Sequence, residues 1–148
     1  MENGVFNHQF LCRLLNIGAN HAIIEGAAGT REVILYISDL LRYIYDSRKT
    51  VITLKEELDA ADKYINIQKL KGNGSIELML PFENSYDEIY IEHLSLLKKI
   101  VEDIDQVIET SENIVNLVYV PDFTKDRVII KRQMDGLQDV LLDMKNLL

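Results

Sequence analysis

The 148-residue chain has one cysteine, two prolines and no tryptophan, and its apolar stretches are short. A single thiol excludes a disulfide framework, so stability must come from a buried core, which a chain of this length can build. Cys12, inside the run "FLCRLL", reads as a small buried hydrophobe in a reducing compartment. No apolar run approaches the roughly 20 residues that span a bilayer. "MENGVF" has no basic n-region either, so the expectation is a cytoplasmic protein with no membrane insertion. Cations are also scarce. With 16 Lys and Arg against 24 Asp and Glu the formal net charge is -8, which argues against nucleic-acid or anionic membrane partners, because phosphate binding needs clustered Lys and Arg. The densest basic cluster, Lys125, Arg127, Lys131 and Arg132, is interrupted by Asp126 and by Val128, Ile129 and Ile130, and reads as the polar face and ends of a strand. The three histidines, His8, His21 and His93, have no metal-ligand spacing, so no metal and no cofactor is expected.

What is present is helical periodicity followed by β-rich runs. From Val5 to about Glu25 apolar residues recur at Phe6, Phe10, Leu14 and Ile17, with a second row at Leu11, Leu15 and Ala22, which predicts a helix with a wide apolar surface. "GAAGT", residues 26–30, lacks the Lys-Ser/Thr pair and preceding strand of a phosphate loop and reads as an interhelical turn. A second helix is expected from about Thr30 to Tyr45. A third starts at a capping box made by Thr53 and Glu56 and runs to about Lys71. After "GNG", residues 72–74, the period changes. "SIELMLP", "NIVNLVYV" and "DRVIIKR" read as strands, the last two joined through "PDFTK" as a hairpin. Helices are expected over about Ile89 to Glu109 and Gly136 to Leu148, giving a β-α-β-β-α layer.

The order of three motifs resembles the cytoplasmic core of LytS/YesM-type sensor histidine kinases. Their Asn-Pro-His-Phe-Leu-(Phe/Tyr)-Asn, Leu-Ser-x-Leu-Leu-Arg-Tyr and Thr-Leu-x-Glu-Glu-Leu segments correspond to "NHQFLCRLLN", "ISDLLRYIYDS" and "VITLKEELDAADKYINIQKLK". The resemblance implies an α+β fold: an N-terminal helical bundle-forming region, residues 1–72, followed by a small, truncated histidine-kinase-ATPase-like α/β sandwich, residues 73–148. In the sandwich the family carries a Val-Glu-Asn-Ala helix for metal and phosphates, an Asp-x-Gly turn for adenine and a glycine-rich lid. Against that pattern "LKKIVEDIDQVI" keeps Glu102 but has Asp103 for the asparagine. "KRQMDG" has Met134 in the aspartate's place before Gly136, and the lid has no room.

Aligned on Asn7 and Phe10-Leu11, the phosphoacceptor position falls on Gln9 and the proline position on His8. A glutamine amide nitrogen is delocalised into its carbonyl and has no lone pair with which to take a phosphoryl group, whereas a neutral imidazole has one. Gln9, Arg13, Asn16 and Asn20 form one polar stripe open to a partner, and His8 lies about 100° away on an apolar row. Arg42, Tyr43, Glu56 and Glu57 match family positions that can equally be structural. The resemblance therefore implies a non-catalytic homodimer, built as a four-helix bundle, that binds a response regulator or a histidine kinase. An ATP-independent phosphotransfer protein using His8 is the competing reading.

Overall fold

The computed structural model describes residues 8–46, 48–70, 74–80, 84–111 and 115–148. The fold is mixed α+β, and the chain divides into two compact units, Met1–Arg48 and Lys49–Leu148.

The first unit is a helical hairpin of α1 (His8–Ile24) and α2 (Ala28–Ile44). Gly26, at φ 72°, ends α1. Its N–H donates to Ile23 O at 3.0 Å and that of Ala27 to Ala22 O at 2.8 Å, the paired bonds of a Schellman motif, which need a left-handed residue that glycine adopts without strain. The interhelical turn expected over residues 26–30 is confined to its first two residues, since α2 begins at Ala28. Small side chains let the two helices approach: among the described residues Cys12, Ala19 and Ala22 of α1 and Ser38 of α2 are buried, together with Leu40. The Cys12 thiol faces Ser38 O at 3.7 Å, and Ser38 Oγ donates to Ile34 O, so both polar groups are satisfied within the hairpin.

The second unit is a small α/β sandwich. β1 (Val51–Thr53) leads into α3 (Leu54–Lys69), which is followed by β2 (Gly74–Leu78), a short 3-10 turn, β3 (Tyr90–Glu92), α4 (Ser95–Thr110), β4 (Val115–Phe123), β5 (Arg127–Met134) and β6 (Leu137–Lys145). β1 and β3 form a separate antiparallel pair. The main sheet has the order β2-β4-β5-β6, with β2 parallel to β4 and the rest antiparallel. Alternation along the strands turns Ile76, Leu117, Tyr119, Val128 and Ile130 to one face. On that face α3 buries Leu58, Ala61 and Ile65, and α4 buries Leu96, Ile100 and Ile104. The opposite face carries exposed Asn116 and Gln133.

Two sequence expectations are corrected. The segment from Ile89 is not helical at its start: Tyr90–Glu92 pairs with β1, and the helix begins at Ser95. The helix expected over Gly136 to Leu148, where the family has the helix after its lid, is strand β6. Asp135 (φ 51°) and Gly136 (φ 79°) both lie in the left-handed region, the requirement of a two-residue type I′ hairpin loop, so β5 turns directly back into β6. The i, i+3, i+4, i+7 pattern of Leu137, Val140, Leu141 and Met144 imitates a helix because β6 carries a bulge. Lys131 pairs with Val140 and Ile130 with Leu142, leaving Leu141 as an extra residue that shifts the alternation. Leu137 and Val140 remain exposed.

α3, counted from sequence with the helical region, packs inside the second unit against α4 and β2.

Candidate functional site

Two places carry candidate chemistry. The first is the outer surface of α1. Gln9, Asn16 and Asn20 are exposed, as a stripe at helical spacing requires. The side chains of His8 and Arg13 lie outside the described residues, as does Asn7. Beside the polar stripe, and roughly opposite Cys12, Ala19 and Ala22 at about 100° per residue, Ile17 is 66% and Ile24 80% exposed. α1 therefore has one face closed on α2, and on its other side two isoleucines, one heptad apart and bordering the polar stripe, that its own unit does not cover. His21 Nε2 meets Glu25 at 3.0 Å on the surface, a local i, i+4 pair. Arg42 pairs with Asp39 at 2.9 Å, again within one helix.

The second place is a polar cluster under the sheet. Asp103, on the buried side of α4 and 8% exposed, accepts from Tyr119 Oη of β4 at 2.7 Å through one oxygen and from Arg132 of β5 at 2.5 Å through the other. The Arg132 guanidinium also reaches Asp139 of β6 at 3.5 Å. Burial, then the bond to Asp103 and its charge, push the Tyr119 phenol well above its ordinary range, so it stays a donor. Close by, Tyr64 of α3 donates to Asp105 at 2.5 Å and accepts from Gln68 Nε2 at 2.9 Å. Burial first, and Asp105 next, raise its pKa as well. Gln68 Oε1 is buried without a partner among the described residues.

Sequence reasoning pointed to Glu102, Asp103, Met134 and Gly136 as remnants of a nucleotide site. The structure places them on α4, on β5 and in the β5–β6 turn. Glu102 is exposed on α4, Asp103 faces inward, Met134 ends β5 and Gly136 sits in the β5–β6 turn. A metal-bound nucleotide needs free carboxylate or amide oxygens and a closing loop. Both oxygens of Asp103 are taken by this chain's own donors, and β6 begins one residue after Gly136. The residues present do not fit the group. Tyr119 and Arg132 were missed from sequence, although each left a trace: Arg132 has the parity of buried Val128 and Ile130, and Tyr119 that of Leu117.

The two adjacent glutamates of "TLKEEL" both cap helices. Glu56 completes the capping box of α3: its carboxylate accepts from Thr53 N, and Thr53 Oγ1 accepts from Glu56 N, each at 3.1 Å. Lys49, bonded to Glu56 at 2.9 Å, is the main cause of a pKa held below the usual glutamate value. Glu57 is fully buried and accepts from Leu97 N at 2.9 Å. Leu97 is the third residue of α4, whose own N-cap, Leu94, offers no side-chain acceptor. A carboxylate from α3 thus satisfies an orphan donor at the positive end of α4.

Three of the four cations of the basic cluster noted from sequence are paired: Arg127 with Asp143 at 2.9 Å, Lys131 with Asp122 at 3.4 Å and Arg132 with Asp103. Among the described residues no group of His, Cys, Asp or Glu is placed to hold a metal, and no helix is long and apolar enough to cross a membrane.

A helical hairpin joined to a small α/β sandwich is thus the class of protein that fold and site define. Residues 5–76 match a family model described as "Histidine kinase", which supports a histidine-kinase-related family. No curated protein matches the chain.

Proposed function

We propose that this is a non-catalytic histidine-kinase-like signalling protein that works by association. Residues 1–72 are its dimerisation and acceptor-like region, and residues 73–148 a reduced ATPase-like region without a lid. The observation that carries the reading is the replacement at the acceptor position: inside the segment that matches the kinase family, α1 presents exposed Gln9, a residue that cannot take a phosphoryl group. The uncovered Ile17 and Ile24 support self-association, because a second hairpin packed on that face completes a four-helix bundle and removes both side chains from water. The stripe of Gln9, Arg13, Asn16 and Asn20, which borders those isoleucines, is the surface that a response regulator or a histidine kinase reads.

Three measurements test this. Light scattering after gel filtration should give twice the 17.1 kDa chain mass, reverting to one chain in Ile17→Glu/Ile24→Glu with helicity retained. Binding to a response regulator or kinase should fall in Asn16→Arg/Asn20→Arg. Incubation with an active kinase and labelled ATP should leave the chain unlabelled. Acid-labile label that disappears in His8→Ala overturns the reading in favour of phosphotransfer.

A further inference from the structure

We propose that Arg132 is a built-in cation that closes Asp103, so that the sandwich is complete in itself and takes up neither a divalent ion nor a nucleotide at this position. The inference deepens the non-catalytic reading and rests on it for the expectation that a metal-holding side chain belongs at residue 103. Its evidence is geometric.

Asp103 has two oxygens and both are committed, one to a phenol and one to a guanidinium. The pair is nearly dry, with the Asp103 side chain 8% and that of Arg132 23% exposed. A buried carboxylate already neutralised by a fixed guanidinium presents no net charge to an incoming cation, and a cation that displaced Arg132 would leave the guanidinium without its main partner. Three further features agree. Arg132 projects from the inward side of β5 between Ile130 and Met134, so the strand register holds it in place without a loop having to close. Asp139 of β6, paired opposite Arg132 in the ladder, keeps the guanidinium oriented from the far side. The β5–β6 hairpin that supplies Asp139 lies where a nucleotide lid would have to start. Ligand-like stabilisation therefore comes from inside the chain: α4, β4 and β5 are tied through the Asp103 carboxylate, and β6 joins them through the Arg132 guanidinium.

Thermal unfolding of the full chain, with and without Mg·ATP and with magnesium chloride alone, tests this together with Asp103→Asn, Arg132→Met, the double variant and Arg132→Lys. A ligand at about 100 times its dissociation constant raises Tm by many degrees in a unit of this size. The expected result is no rise for the wild type or for Arg132→Lys, both of which keep the cation at Asp103. Asp103→Asn and Arg132→Met should each lower Tm, and the double variant should lose less than the sum, as coupled partners do. Should Arg132→Met fail to fold, Arg132→Lys, which keeps the charge, should fold and retain most of the Tm. A Tm increase with Mg·ATP in the wild type, or an unchanged Tm in Arg132→Met, overturns the inference. Mg·ATP binding without label on the chain refutes this closure and leaves the association reading standing. Label that depends on His8 does the reverse.

Discussion

Replacement of Glu57 is the sharpest test of how the sandwich is held together. In Glu57→Ala the buried carboxylate that accepts from Leu97 N at 2.9 Å is gone, and Leu97 N is left without a side-chain acceptor, since Leu94 has none to offer. A hydrogen bond to a charged group contributes about 1.5–3 kcal/mol, and stranding the buried N–H adds about 1 kcal/mol or more. The favourable placement of a negative charge at a helix N-terminus contributes up to about 2 kcal/mol when partly buried. These contributions overlap, and a loss of about 3–4 kcal/mol is the expected sum. Glu57→Gln keeps a carbonyl acceptor at the same reach and loses the charge, so a loss of about 1 kcal/mol is expected. For a unit of about 100 residues, 1 kcal/mol moves Tm by roughly 4–8 °C. Thermal unfolding followed by far-ultraviolet circular dichroism should therefore show the alanine variant at least about 12 °C below wild type and the glutamine variant about 4–8 °C below. If the two variants are equally stable, the capping role is refuted. The same holds if alanine stays within about 0.5 kcal/mol of wild type.

Other outcomes follow from the same structure. Tyr64 and Tyr119 hold their protons above the ordinary phenol range, so their stabilising effect is complete below the unfolded pKa near 10 and is lost as pH rises beyond it. A spectrophotometric titration compared with Tyr64→Phe and Tyr119→Phe should find these two phenols ionising only with alkaline unfolding, and their ionisation near pH 10 in the folded protein would contradict this. Glu56 has a lowered pKa, chiefly through Lys49, so its contribution is present above about pH 4.3 and disappears as pH falls through the folded value. Glu56→Gln should flatten the acid limb of the stability curve, and an identical limb would count against the Lys49 bond. Gly136→Val places a β-branched side chain at φ 79° and should cost about 1–2 kcal/mol, whereas Asp135→Asn should be neutral or mildly stabilising in denaturant melts. Asn146→Ala removes the Oδ1 acceptor for Tyr90 N and Leu148 N and the Nδ2 donor to Lys125 O, so a loss of about 1–3 kcal/mol is expected.

The parts of the fold that sequence made legible are those whose determinants are local. The period of 3.6 gave α1, α2 and α3, Thr53 and Glu56 gave the start of α3, and a glycine past the last turn gave the end of α1. β4 and β5 were readable because alternation and a polar connection sit side by side. β6 was not, since the bulge at Leu141 scrambles its period and "MDG" was matched to a kinase turn when "DG" between apolar runs is itself a hairpin signal. The start of α4 was misplaced for a different reason: its cap comes from Glu57, 40 residues away, and no window of sequence contains both partners. At the candidate sites, the exposed stripe of Gln9, Asn16 and Asn20 followed from helix geometry. The inward turn of Asp103 did not, because its partners come from β4 and β5.

The boundary between the compact units also bears on how this chain can be dissected. The family match ends at residue 76, inside β2, while the units part between Arg48 and Lys49. A fragment cut at the end of the match would keep α3 but lose α4 and β4, leaving Leu54, Leu58 and Ile65, now buried, open to water and prone to aggregate. A cut at 48/49 leaves each hydrophobic cluster with its own elements. Ancestry and foldability draw their lines in different places here, and experiments on isolated pieces should follow the second.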